Sequence, residues 1–431
     1  MKRFLLGAAL SLSCFVSAQN QKALLEKGVQ MVHLLDAQKA EVNPQYFDSM
    51  AQKHISASQL NIGWTQIAIK TYGSFKDTSG WMIEGHMLYI GLQFEKGTLD
   101  IKFPFNSEGQ FTGMFFAPPV NKTRYQIPAY ADTSLFVEED FELHSGPYLL
   151  KGKLCKPRGA KKSPLVILSH GSGPQNMDVH IGPNRMFKDI AYGLASSGIA
   201  VFRFPKRTFV YGLQSAPDMN KLTVEDEYIE DLLAAIDTFS EYPGIDSKQL
   251  YLLGHSEGGI LAPRVALRSG KLKGIIMAAA PVTPMDSVLL RQLNYLNDLD
   301  SSGTYYRPLK EVEEEVAFLR SDDFDTTADA SWLPLGLNAY YWQDILNYHP
   351  EEALSQYKGK VLMLFAEKDY QVEMNELQKW KPFIDKKVQT KVIPGCGHGF
   401  IPIGNAIGPA QLQVAGSVDP LFIQDVIAFI R

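Results

Sequence analysis

The stretch Leu250-Tyr251-Leu252-Leu253-Gly254-His255-Ser256-Glu257-Gly258-Gly259 decides the reading of this chain. Its four apolar residues predict a buried strand, its glycines a sharp turn, and the run at 260–268 a helix. Strand, turn and helix form the context in which a G-x-S-x-G turn lifts a serine hydroxyl clear of a sheet. Gly254 and Gly258 leave room for the backbone to close, and Ser256 is expected in a strained conformation. The helix start aims its N–H groups and positive dipole end at the place where attack by a serine develops negative charge.

Outward from this stretch the pattern alternates. Residues 165–168, 199–204, 272–279, 361–365 and 390–393 read as short apolar strands. Residues 184–197, 224–239 and 420–431 read as helices. Continuous apolar strands between helices predict an α/β class fold, a mostly parallel sheet covered by helices on both faces. Ahead of it, 135–143 and 148–155 read as a hairpin around His144-Ser145-Gly146-Pro147. Residues 282 to about 355 break the alternation. They carry a helical piece at 309–319 and the aromatics Tyr295, Tyr305, Tyr306, Trp332, Tyr340, Tyr341 and Trp342. This segment reads as a helical cap insertion whose aromatics mostly form its own core, with Glu313, Glu314 and Glu315 on a solvated face.

Residues 20–117 read as a small α+β unit. Leu24, Leu25, Val29, Val32 and Leu35 keep helical spacing, Asn43-Pro44 opens a second helical piece, and Ser58 is a candidate cap for a third carrying Ile62, Trp64 and Ile67. From Leu88 the period changes to two, which predicts an antiparallel meander through 111–116. Pro118-Pro119 marks a boundary, 118–134 a linker, and 135–431 the larger domain. His33, His54 and His86 are single histidines with no constellation around them.

Lys2 and Arg3, the apolar run at 4–16 and Val16-Ser17-Ala18 read as an export signal over 1–18, with a mature start at Gln19 and a periplasmic or extracellular destination. No other run is long and apolar enough to span a membrane. The net charge of −5 and the lack of a basic tract argue against a nucleic-acid partner. Beyond the signal two cysteines remain, Cys155 and Cys396. They read as small buried thiols, and the sequence does not show whether they meet.

A serine nucleophile needs a base, and the base an acid that fixes its tautomer. In this architecture the order is serine, carboxylate, histidine. Asp369 follows the strand at 361–365, and His398, flanked by Gly397 and Gly399, follows the strand at 390–393. Glu367 is the rival acid, with Asp344 and Asp325 behind it. The oxyanion donors are expected from the N–H groups of Glu257 and of Ser172, in Ser169-His170-Gly171-Ser172-Gly173-Pro174 after the first strand. Losing one such donor typically costs about 3–4 kcal/mol of transition-state stabilisation. His170 reads as support for that loop and His255 as packed beside the sheet. Glu257 reads as a charge favoured by the helix dipole rather than a contact to a substrate amine. Asp178 and His180 have metal-like spacing but too few partners to make a site, so neither metal nor cofactor is expected.

Residues 170–174, 254–259 with Ala262-Pro263-Arg264, Asp369 and His398 together resemble a bacterial α/β-hydrolase, of the secreted esterase and peptidase group allied to dienelactone hydrolases and serine aminopeptidases. The chain departs from that pattern at Glu257 and at Lys206-Arg207-Thr208. The small first unit resembles the N-terminal domain of unknown function found ahead of some such enzymes. The resemblance implies a serine hydrolase with Ser256, His398 and Asp369 as its triad. The expected activity is cleavage of carboxylic esters of a small acyl substrate. The alternatives are an aminopeptidase, a thioesterase, and a binding protein on a hydrolase scaffold.

Overall fold

The structure, a computed structural model, describes residues 18–84, 87–106, 108–117, 119, 122–123, 125–299 and 306–431. The expected export signal up to residue 17, His86, Pro118 and Tyr305 lie outside these residues. The chain divides into two compact units, the first ending at Lys122 and the second beginning at Thr123.

In the first unit the helix Ala18–Asp36 buries Leu24, Met31, Val32 and Leu35, one face at helical spacing. The next helix, Ser49–His54, is capped by Asp48 rather than begun at Asn43-Pro44. The third, Ala57–Gly63, starts from a reciprocal capping box of Ser56 and Gln59, two residues before the expected Ser58. Of the three apolar residues named there, Trp64 is buried and Ile62 and Ile67 are about half exposed. The antiparallel sheet runs in the order β1 (Phe75–Glu84), β2 (Met87–Phe94), β3 (Gly97–Pro104), β4 (Phe115–Ala117). β1 was not foreseen, because Lys76-Asp77-Thr78-Ser79-Gly80 hides its alternation.

In the second unit β5 (Phe136–Ser145) and β6 (Tyr148–Pro157) form the expected hairpin. The other sheet strands are β7 (Ser163–Ser169), β10 (Ala200–Arg203), β11 (Ile245–His255), β12 (Gly274–Ala278), β13 (Lys360–Ala366) and β14 (Val388–Ile393). Between β7 and β10 lies a two-stranded ribbon, β8 (His180–Ile181) and β9 (Asn184–Arg185). The eight-stranded sheet has the order β14-β13-β12-β11-β7-β10-β6-β5 and is parallel from β14 to β10. Residues 123–134 belong to this unit: Tyr125 Oη donates to Asp189 Oδ1 at 2.8 Å, and Tyr130 packs against the core.

Alternate residues of the central strands serve opposite faces. Leu165, Ile167, Leu250, Leu252, Ile275 and Met277 pack in one core; Val166, Leu168, Tyr251, Leu253, Ile276 and Ala278 pack in the other. Helices cover both faces, so every position is apolar and no alternation appears in the sequence. The insertion after β12 is helical, with Met285–Leu299, Tyr306–Leu319, Ala339–Leu346 and Pro350–Gln356. Leu319, Leu333, Ala339 and Trp342 form its own small core. Every loop of interest below leaves the carboxyl end of a parallel strand, which is where open α/β sheets collect ligand-facing residues.

Candidate active site

Ser256 follows β11 directly, with φ 54° and ψ −120°. L-residues avoid this region, so the turn stores on the order of 1–3 kcal/mol of strain. Two residues away on either side, Gly254 and Gly258 have no room for side chains. A Cβ on Gly254 would lie 2.1 Å from the Gly258 carbonyl oxygen, and one on Gly258 would lie 2.3 Å from that of His170. The Ser256 N–H donates to Ala278 O at the end of β12, 2.8 Å away. The loop after β7 lies against the serine, since a Cβ on Gly171 would stand 3.2 Å from Ser256 Cβ. Glu257 opens the helix Glu257–Ser269, whose first N–H groups have no partner within the helix.

His398 and Asp369 meet. Nδ1 of His398 is 2.7 Å from Asp369 Oδ2, while Oδ1 accepts the N–H groups of Gln371 at 2.8 Å and Val372 at 3.0 Å. A carboxylate held this way accepts a proton-bearing Nδ1, which leaves Nε2 of the neutral ring with a lone pair. The elbow reaches the same loop through His255, whose Nε2 lies 2.9 Å from the carbonyl oxygen of His398, with the two rings 4.6 Å apart. Burial, with the neighbouring His398, pushes the His255 pKa down to about 3. The ring is therefore neutral, and Nε2 carries the proton because a carbonyl only accepts. The other candidate acids are engaged elsewhere. Glu367 accepts the Gly395 N–H at 2.7 Å, Asp344 pairs with Arg264 at 2.7 Å, and Asp325 closes its own turn onto Thr327.

His170 supports its loop, with Nε2 at 3.1 Å from Asn176 O and a pKa lowered to about 3 by burial and by Lys206. Glu257 stands at the helix start as read, but it is buried there, 2 % exposed. Tyr228 Oη lies 2.8 Å from its Oε2 and Tyr341 Oη 3.0 Å from its Oε1. Burial raises its pKa, against the pull of nearby Lys206. Tyr341 Oη also lies 2.8 Å from Glu227 Oε2, and Lys206 Nζ lies 3.0 Å from Glu227 Oε1. Burial acts against the charge of Glu227 but is outweighed by Lys206 and Thr208, so its pKa is lowered. Lys206, Tyr228 and Tyr341 were not read from the sequence as parts of the site. The departure at 206–208 was the single visible signal; the two tyrosines look like core aromatics.

Cavities border the site, one of them about 10 Å³ beside His170, Lys206, Glu227 and Tyr228. One of about 150 Å³ adjoins Glu257 between the elbow helix and the insertion, lined by Ile260, Leu261, Val282, Met285, Ile345 and Tyr348. One of about 30 Å³ adjoins His255 and His398, with Val179, Met186 and Ile401. Cys155 and Cys396 are both free and buried, each thiol pushed up to about 12 by burial. Asp178 pairs with Arg203 at 2.7 Å, and His180 Nε2 meets Gly182 O at 2.8 Å. Among the described residues no group of three or more His, Cys, Asp and Glu side chains is placed to hold a metal ion.

The Alpha/beta hydrolase family profile matches residues 166–405. Esterase EstD of Thermotoga maritima is 30 % identical over 422 residues, covering 96 % of this chain and 97 % of that protein. Among solved structures, Est1E from Butyrivibrio proteoclasticus is 17 % identical with a TM-score of 0.45, covering 68 % of this chain and 97 % of its own. A hyperthermophilic esterase from the archaeon Pyrobaculum calidifontis is 18 % identical with a TM-score of 0.44, covering 68 % and 85 %. With a strained serine at the end of a central parallel strand and a family profile and relative that span this architecture, the chain belongs to the α/β hydrolase family.

Proposed function

We propose that the protein is a secreted carboxylic ester hydrolase that works through an acyl-enzyme on Ser256. The Ser256 hydroxyl attacks the acyl carbon, and Nε2 of His398 takes its proton. Asp369 fixes the tautomer and stabilises the imidazolium. The backbone N–H groups of Glu257 and Ser172 hold the tetrahedral oxyanion. His398 returns the proton to the leaving alcohol; water, activated by the same ring, then releases the acid and restores the serine.

The observation that carries this reading is the 2.7 Å contact of His398 Nδ1 with Asp369, on a loop bonded to the residue that precedes Ser256. The 30 % identity to a protein named as an esterase supports the ester over the amide. An aminopeptidase would need a free carboxylate to anchor a substrate amine. The two candidates are engaged, Glu257 by tyrosine hydroxyls and Asp344 by Arg264.

A fluorophosphonate probe and a panel of nitrophenyl esters and amino-acid anilides test the proposal. Wild type is expected to be labelled on Ser256 and to turn over esters, and Ser256→Ala to do neither. Turnover of anilides in preference to esters would overturn the ester assignment. Export is tested separately, by sequencing the mature N-terminus, which is expected at Gln19.

A further inference from the structure

Lys206, Glu227, Tyr228, Glu257 and Tyr341 form a polar cluster inside the protein, with side chains almost wholly buried. No step of the ester mechanism uses their functional groups. Two of them converge on one atom. Tyr228 Oη lies 2.7 Å from the carbonyl oxygen of Gly171, and Lys206 Nζ lies 3.2 Å from the same oxygen. Lys206 also sits over the Tyr228 ring, 3.7 Å from its centroid.

That carbonyl belongs to the peptide unit whose N–H is that of Ser172. In a trans peptide the C=O and the N–H point in opposite directions within one plane. Two donors that fix the Gly171 oxygen on one side therefore aim the Ser172 N–H to the other. We propose that Tyr228 and Lys206 are positioning residues that orient the Ser172 N–H as an oxyanion donor, an inference that rests on Ser256 as the nucleophile.

Tyr228 links this donor to the second one. The same hydroxyl lies 2.8 Å from Glu257 Oε2, and the backbone N–H of Glu257 is the other donor. A tyrosine has one proton and here faces two acceptors. A proton on Glu257, given to Tyr228 Oη, would leave the tyrosine proton to Gly171. Burial raises the Glu257 pKa in that direction. Tyr341 also has one hydroxyl proton between two acceptors, Glu227 and Glu257, and a proton that Glu257 gives to Tyr228 does not serve this contact. Lys206 Nζ, 3.0 Å from Glu227 Oε1, favours the charged form of Glu227, whose pKa is lowered, while burial raises that of Glu257.

The test compares wild type, Tyr228→Phe, Lys206→Met and Ser256→Ala on a short-chain nitrophenyl ester. Each is also assayed for inhibition by a trifluoromethyl ketone, whose hemiketal with serine presents an oxyanion. Tyr228→Phe keeps the ring and its contact with Lys206 and removes only the hydroxyl. Its kcat is expected to fall about 10–100-fold, less than the ~10²–10³-fold typical of a deleted donor. KM is expected to stay within about twofold, and ketone affinity to fall by the same factor as kcat/KM. Lys206→Met leaves the buried Glu227 without its cation, with only the hydroxyls of Thr208 and Tyr341, and is read only if it melts cooperatively; Tyr228→Phe carries the test without it. A kcat loss with unchanged ketone affinity, or wild-type kinetics in Tyr228→Phe, would overturn the positioning role. Ester turnover by Ser256→Ala would instead remove the nucleophile assignment beneath it.

Discussion

The imidazole Nε2 of His255 donates to the carbonyl oxygen of His398 across 2.9 Å, so the residue preceding the elbow serine holds the loop that carries the proposed base. A misplacement of about 1 Å is enough to cost roughly 100-fold in rate. His255→Leu is expected to lower kcat about 10–100-fold. His255→Gln, whose amide can still donate, is expected to lose less. Steady-state kinetics of the two variants check this, and equal losses would speak against the bond as the cause.

Asp369 accepts from His398 and from two backbone N–H groups, a geometry that an amide side chain cannot reproduce at Nδ1. Asp369→Asn is expected to retain the fold and to lose about 10⁴-fold in kcat, because the ring is left in the wrong tautomer. KM should change little. Circular dichroism and initial rates on the same preparation separate folding from chemistry.

The φ of 54° at Ser256 is a cost that any L-residue meets and glycine does not. Ser256→Ala and Ser256→Gly are both expected to be inert. The glycine variant should be more stable than the alanine variant by about 1 kcal/mol, the strain less the chain entropy of glycine. Denaturant midpoints of the two measure the difference.

Glycine 258 has the opposite sign. A Cβ there would meet the His170 carbonyl oxygen at 2.3 Å and the Ser169 carbonyl oxygen at 2.8 Å, both backbone atoms that cannot swing away. Gly258→Ala is expected to destabilise by about 1–3 kcal/mol, the usual range for overpacking, and to lose activity as the elbow is pushed off the loop after β7. Thermal unfolding and ester turnover report the two effects.

Acid stability follows from buried rings. His170, His180 and His255 are each lowered to about 3, by burial first in every case. Between about pH 3 and 6.5 the unfolded chain binds protons that the folded chain refuses, so this stability is full above pH 6.5 and is lost as pH falls. Asp189 acts in the other sense. Burial raises it to about 7, so its contribution is present below its unfolded pKa and is lost as pH rises toward 7. Glu257 and Asp231, also raised by burial, act with Asp189, the lowered Glu227 and Glu376 act with the three histidines, and the protein is expected to lose stability on acidification below pH 6. His180→Gln should make the slope between pH 4 and 6 shallower by about 1.4 kcal/mol per pH unit. Urea unfolding across that range would show it.

What the sequence made legible follows from distance along the chain. Ser256 and Asp369 each stand just past an apolar run, and His398 past the shorter edge strand β14, so a strand and its carboxyl end locate them one at a time. The sheet was readable for the same reason, since its central strands are apolar on both faces. The buried cluster was not. Tyr228 reaches Gly171 across 57 positions, Lys206 across 35, and Tyr341 reaches Glu257 across 84. No periodicity encodes such meetings. A tyrosine that ends in a hydrogen bond has the same sequence signature as one that ends in a core. For Glu257 the position at a helix start was visible and its burial was not. In the first unit β1 escaped notice because polar residues occupy its first half, and its place is fixed by pairing with β2.

Tyr341 and Trp342 are neighbours on one helix of the insertion, yet Trp342 packs inside it while Tyr341 reaches the two acids beneath. The insertion is thus not an interchangeable module. A graft that replaced it with a lid of similar size from a relative would strip Glu227 and Glu257 of their common hydroxyl and force two carboxyl groups together without a mediator. Lids and elbows in this lineage would then have to be inherited as matched pairs, and recombination that separates them should yield folded chains with poor turnover.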